Sequence, residues 1–157
     1  MSDDKRPWPY WWHSTLNPAW FHGHDHQPEK QRPFFEGWYY KIVDAARDQK
    51  LAIIPGVFLS DDPHAFIQVL DGNSRQAYYH RYPLDQFWAA RDRFEVQVGD
   101  STFTSDTIDL AVAKPEQTIY GTLSFSSPTP WPVTLTAPGI MGWYAWVPTM
   151  ACYNGVL

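Results

Sequence analysis

Cysteine is almost missing from this sequence. Cys152 is the only one, so no internal disulfide can form. That usage fits a reducing compartment such as the cytoplasm, and Cys152 reads as a buried structural thiol. Long apolar runs are missing too. No stretch approaches the roughly 20 residues a membrane-spanning helix needs, so no membrane span is expected, although peripheral contact with a membrane surface is compatible. The opening Ser2-Asp3-Asp4-Lys5-Arg6-Pro7 has no apolar segment of the signal-peptide kind. Positive charge is scarce. Lys and Arg number 12 against 17 Asp and Glu, a net charge of −5. The longest positive feature is Arg91 and Arg93, interrupted by Asp92. A nucleic-acid partner, which calls for a basic stripe, is therefore not expected.

What the sequence has instead is rings and prolines. Nine Trp, nine Tyr and nine Phe make 17% of 157 residues, and 44% of the chain is apolar. Such a chain can build a core, which excludes overall disorder. Fourteen prolines, spread from Pro7 to Pro148, exclude long helices and coiled coils. The length suits one domain. The end at Gly155-Val156-Leu157 is apolar and reads as a cut inside a strand or between domains.

Residues 1–33 keep neither a period of 2 nor one of 3.6 and read as an irregular N-terminal arm. From residue 34 to 157 short β-type runs follow one another. Strands are expected at Gly37–Asp44, at Lys50–Leu59 with a break or bulge at Pro55-Gly56, at His64–Leu70 and at Gln76–Tyr82. Asp71-Gly72-Asn73 is a hairpin signal. Leu84, Phe87, Trp88 and Arg91 fall at i, i+3, i+4 and i+7, which predicts one short helix. Alternation then returns in Phe94–Val98, Ser101–Thr104, Thr107–Ala113 and Thr118–Ser126, and Trp131–Thr136 is a last strand. About nine strands at this spacing predict an all-β antiparallel barrel or sandwich. No helix alternates with them, which argues against a parallel α/β sheet.

Three groups of residues offer chemistry. His22, His24 and His26 share one face if extended and can bind zinc or nickel, or form an exposed His-rich loop. No distant ligand completes a metal pattern, and no cofactor is expected. Glu36 stands between Phe34-Phe35 and Gly37-Trp38-Tyr39-Tyr40. A carboxyl kept protonated by apolar surroundings can serve as a general acid; paired with Lys41 or capping a turn, it is structural. Aromatic faces stabilise positive charge, and Trp38, Tyr40, Tyr78, Trp143 and Trp146 are candidates to line a pocket for a cation or an apolar ligand. Gly139, Gly142, Pro138 and Pro148 constrain the loop that displays Trp143, Tyr144 and Trp146.

Phe34-Phe35-Glu36-Gly37-Trp38-Tyr39-Tyr40-Lys41 resembles the F-F-E-G-W-Y-x-K motif of the tocopherol cyclase family. Trp20-Phe21-His22-Gly23 is similar to the aromatic-His-Gly element upstream of it. Pro138-Gly139-Ile140-Met141-Gly142 and Met150-Ala151-Cys152-Tyr153-Asn154-Gly155 resemble that family's P-G-I-M-G and M-E-C-Y-H-G block. Ile54-Pro55-Gly56 and Phe66-Ile67-Gln68-Val69-Leu70 fit its bacterial branch. The resemblance covers about Trp20 to Leu157. It implies a lipocalin-like antiparallel β fold, as in the related carotenoid hydratase and AttH-type proteins. It also implies that this chain is the first half of a two-domain protein, whose second β domain would pack on the 138–157 end. The implied activity is closure of a chromanol ring from a prenylated benzoquinol, a hydrophobic small molecule; a non-catalytic carrier of an isoprenoid ligand is the alternative. Glu36 is then the candidate acid, and His22 and Asn154 are candidate ligand contacts. Ala151 and Asn154 stand where the family block reads Glu and His, so two titratable groups are replaced.

Overall fold

The computed structural model describes residues 34–90, 93–127 and 129. The arm 1–33, the strand expected at Trp131–Thr136 and the loop 138–148 lie outside them. The described chain is all-β and antiparallel. The first sheet contains β1 (Phe34–Gly37), β2 (Tyr40–Asp44), β3 (Gln49–Leu59), β4 (His64–Asp71) and β5 (Gln76–Tyr82). Its order is β1-β3-β4-β5, with β2 also beside β3. The second contains β6 (Phe87–Ala89), β7 (Glu95–Val98), β8 (Ser101–Thr104), β9 (Thr107–Lys114) and β10 (Gln117–Ser124), in the order β10-β9-β8-β7-β6. Among the described residues the two sheets stay open and no closed barrel forms. No helix among them is long and apolar enough to cross a membrane.

Side-chain alternation builds the core. In the first sheet Ile53, Val57, Ala65, Ile67 and Val69 share a face and are buried. In the second, Val96, Val98, Phe103, Ile108 and Val112 do the same. Tyr40 links the two faces: its ring centroid lies 5.8 Å from that of Phe103, and its hydroxyl donates to Thr104 O at 3.2 Å. Apolar burial on this scale is the main stabilising term, at roughly 25 cal/mol per Å².

The break expected at Pro55-Gly56 falls on the partner instead. β3 runs unbroken from Gln49 to Leu59. β1 and β2 keep one register along it, Gly37 opposite Gly56 and Tyr40 opposite Ile53, interrupted at Trp38-Tyr39. The cause is a missing donor. Trp38 N donates to Pro55 O at 3.0 Å, but proline has no N–H to return the bond. A residue's N–H and C=O point to the same side of its strand, so the β3–β4 ladder does not need Pro55 as a donor. That lets a proline sit inside a sheet.

The predicted short helix is corrected to a single 3₁₀ turn, Leu84–Gln86, followed directly by β6. Phe87 and Trp88 enter the sheet opposite Val98 and Gln97. Strand pairing and the β preference of aromatic residues override the helical spacing. The Asp71-Gly72-Asn73 signal holds. Asp71 pairs with Gln76, and its Oδ1 accepts from Asn73 N at 2.8 Å and Ser74 N at 3.2 Å.

Candidate functional site

Glu36, Trp38 and Tyr40 are alternate residues of one chain segment in one register, so they share a face, about 7 Å apart from one to the next. It is the core face. Glu36 lies opposite Val57, and Tyr40 opposite Ile53. Glu36 and Trp38 are 6% and 7% exposed. Burial pushes the Tyr40 phenol well above its ordinary range, so Tyr40 stays neutral and holds its proton for Thr104 O. Among the described residues β1 is the terminal strand of its sheet, which puts Glu36 at the rim of their core.

A glycine sets the position of this strand. Gly56 faces Gly37. A Cβ added to Gly56 would fall 2.5 Å from Glu36 O and 2.4 Å from Phe66 Cζ. Backbone and ring both occupy the space a side chain would need. Behind the site, on the other face, Phe66 stacks between Phe35 and Tyr79, with centroids 5.7 Å and 5.0 Å away.

Of the five aromatics expected to line a pocket, the structure groups Trp38 and Tyr40. Tyr78 shares their face, but Ile53 and Val69 stand between it and Tyr40. It is half-buried, and its hydroxyl donates to Gln76 Oε1. Trp143, Trp146, His22, His24, His26, Ala151 and Asn154 lie outside the described residues. Among the described residues no group of three or more His, Cys, Asp or Glu could hold a metal ion.

Three features were not picked out in the sequence. His80 is fully buried. Its Nδ1 lies 3.0 Å from Glu116 Oε1 and its Nε2 2.8 Å from Gln117 Oε1, which ties β5 to the β9–β10 hairpin. The signal was its place between Tyr78 and Tyr82 on a buried strand face. His64 lies with Nε2 2.9 Å from the Tyr79 hydroxyl and Nδ1 2.8 Å from Asp62 O. Beside it Arg81 pairs with Asp62 at 2.7 Å and holds that carboxyl below its usual range.

The third is a cleft of about 520 Å³ in the second sheet. The β7–β8 hairpin turns at Gly99-Asp100, with Val98 opposite Ser101, while β9 pairs with β8 only at Ile108 and Asp109 and runs on to Lys114. The unmatched end of β9 leaves a notch. Ala111 and Ala113 line it, with Trp88 and Tyr120 among the ring-bearing residues. None of Glu36, Trp38, Tyr40 and Tyr78 lines this cleft, so the aromatic strand face and the notch are separate places. No family model, curated protein or solved structure matches the chain.

Proposed function

We propose that this protein binds an isoprenoid quinol against the rim formed by β1 and β2 and closes it to a chromanol, in the manner of the tocopherol cyclases it resembles. The observation that carries the reading is the run Glu36, Trp38, Tyr40: a buried carboxyl with a buried indole and a partly buried phenol on one strand face. The reaction needs those parts. Glu36 gives its proton to the less substituted carbon of the prenyl double bond. The positive charge forms on the tertiary carbon, where aromatic faces stabilise it by up to about 2 kcal/mol each when water is excluded. The phenolic oxygen of the quinol attacks that carbon, and the phenol proton returns to the Glu36 carboxylate. One C–H and one C–O bond form, one C=C π bond and one O–H bond break, and the product is an isomer of the substrate. A positioned general acid contributes about 10²–10⁴-fold in rate.

Incubation with a prenylated benzoquinol should yield the isomeric chromanol, and Glu36→Gln should reduce turnover by at least 10²-fold. Full turnover in Glu36→Gln would remove Glu36 from the role. The second reading is a carrier that binds the same ligand without reaction. It is favoured by Ala151 and Asn154, which replace the titratable Glu and His of the family block. Saturable quenching of tryptophan fluorescence by an isoprenoid quinone, with no product from the quinol, would select it.

A further inference from the structure

We infer that the notch in the second sheet is a binding site for a linear neutral oligosaccharide, distinct from the Glu36 face. Trp88 and Tyr120 remain 47% and 63% exposed at its sides. Alternation fixes them there. Phe87 and Ala89 pair with Val98 and Val96 on the core face, so Trp88 must point outward. Tyr120 lies opposite Ala111, whose methyl group is too small to cover the ring. Two large rings are thus held in water beside a floor of alanines, a cost that a ligand with a flat apolar face removes. The C–H face of a pyranose is such a surface.

The remaining lining suits hydroxyl groups. Each sugar hydroxyl donates and accepts, and the cleft offers both functions. Asp85 and Asp100 line it and form no ion pair among the described residues, so their oxygens are open acceptors. Gln86 and Gln97 supply amides, one N–H of Gln97 already donating to Gly99 O at 3.2 Å. The Lys114 ammonium is already committed. It lies 4.1 Å above the Tyr82 ring and donates to Arg81 O at 3.3 Å. Its positive charge offsets one of the two carboxylates in the lining.

The strand order decides between one ring and several. Trp88 is on β6 and Tyr120 on β10, the two ends of the order β10-β9-β8-β7-β6. Four strand spacings amount to roughly 19 Å on a flat sheet and less on a twisted one. Enclosing one cation requires both ring centroids within about 6 Å of it, which this placement does not favour. Successive rings of a linear oligosaccharide can stack on each in turn. The volume lies within the roughly 300–1,000 Å³ common for ligand sites.

Titration calorimetry of the full chain with cellohexaose, maltohexaose and chitohexaose tests this, with glucose and choline as comparison probes. At least one hexasaccharide should bind, at least tenfold tighter than glucose and than choline. Trp88→Ala and Tyr120→Ala should each weaken it at least tenfold, and Asp85→Asn/Asp100→Asn should do so while leaving both rings in place. All three variants should keep the wild-type circular dichroism, because every replaced side chain is exposed. Absence of binding by all three hexasaccharides, binding unchanged in the ring variants, or choline binding tighter than every hexasaccharide would each overturn the inference.

Discussion

Replacing Gly56 with alanine should destabilise the protein, although strand propensity alone predicts the reverse. Glycine in a strand costs roughly 0.5–1 kcal/mol relative to alanine, because it loses more backbone freedom on folding. At Gly56 the packing opposes that gain. The new methyl would sit 2.4 Å from Phe66 Cζ, 2.8 Å from Phe66 Cε1 and 2.5 Å from Glu36 O. Phe66 is 1% exposed and stacked on both sides, so its ring cannot swing freely. Glu36 O belongs to the backbone of β1. Overpacking of this kind costs about 1–3 kcal/mol, which at mid-range values leaves a net loss of about 1 kcal/mol. Urea denaturation gives this as a lower midpoint at unchanged slope. A double-mutant cycle locates the clash. Phe66→Ala alone should cost about 3–5 kcal/mol, and the Gly56→Ala/Phe66→Ala pair should cost less than the sum, because one obstacle has gone. A Gly56→Ala protein as stable as the wild type, or costs that simply add, would refute this account of how β1 is held against β3.

Other consequences follow from single contacts. Gly99 has a φ of +57°, and a Cβ there would lie 2.6 Å from Tyr82 Cε1; Gly99→Ala should lower stability by at least about 1–2 kcal/mol from the left-handed backbone alone, measured by thermal melts. Tyr40→Phe removes the hydrogen bond to Thr104 O and should cost about 0.5–1.5 kcal/mol; no loss would show that this link between the sheets is idle. Glu116 is held below its usual 4.5 by hydrogen bonds from its own backbone and from His80. Its contribution is therefore full above the ordinary carboxylate range and disappears as pH falls through the lowered value. Glu116→Gln should flatten the stability–pH curve in that acid window, and an unchanged slope there would contradict the lowered carboxyl.

The sequence exposed the fold through alternation and turns. The strands at Gln76–Tyr82 and Ser101–Thr104 have the expected bounds, and Thr107–Lys114 differs from its expectation by one residue. Each has clear alternation or firm turn residues at its ends. The helix at Leu84–Arg91 failed because four residues at helical spacing are also compatible with a turn and a strand, and only the partner strand β7 decides between them. Pro55 marks an interruption in the sequence, but the break lies on the neighbouring strand at Trp38-Tyr39, because a missing N–H acts across the ladder. Glu36, Trp38 and Tyr40 stand out in the sequence by their chemistry, but the strand expected from Gly37 leaves Glu36 outside it, and their shared face follows from the register with β3. The cleft was not. It depends on β9 outrunning β8, a difference in strand length that no local pattern records, and the spacing of Leu84, Phe87, Trp88 and Arg91 places Trp88 on a helix face.

The proposed proton transfer from Glu36 is tested most directly by running the reaction in D₂O with a prenylated benzoquinol and analysing the product by mass spectrometry and NMR. The account predicts a chromanol carrying one deuterium, on the ring carbon next to the tertiary ether carbon, from the wild-type chain and none of this product from Glu36→Gln. Chromanol without deuterium at that carbon, or equal labelled product from both proteins, would contradict it.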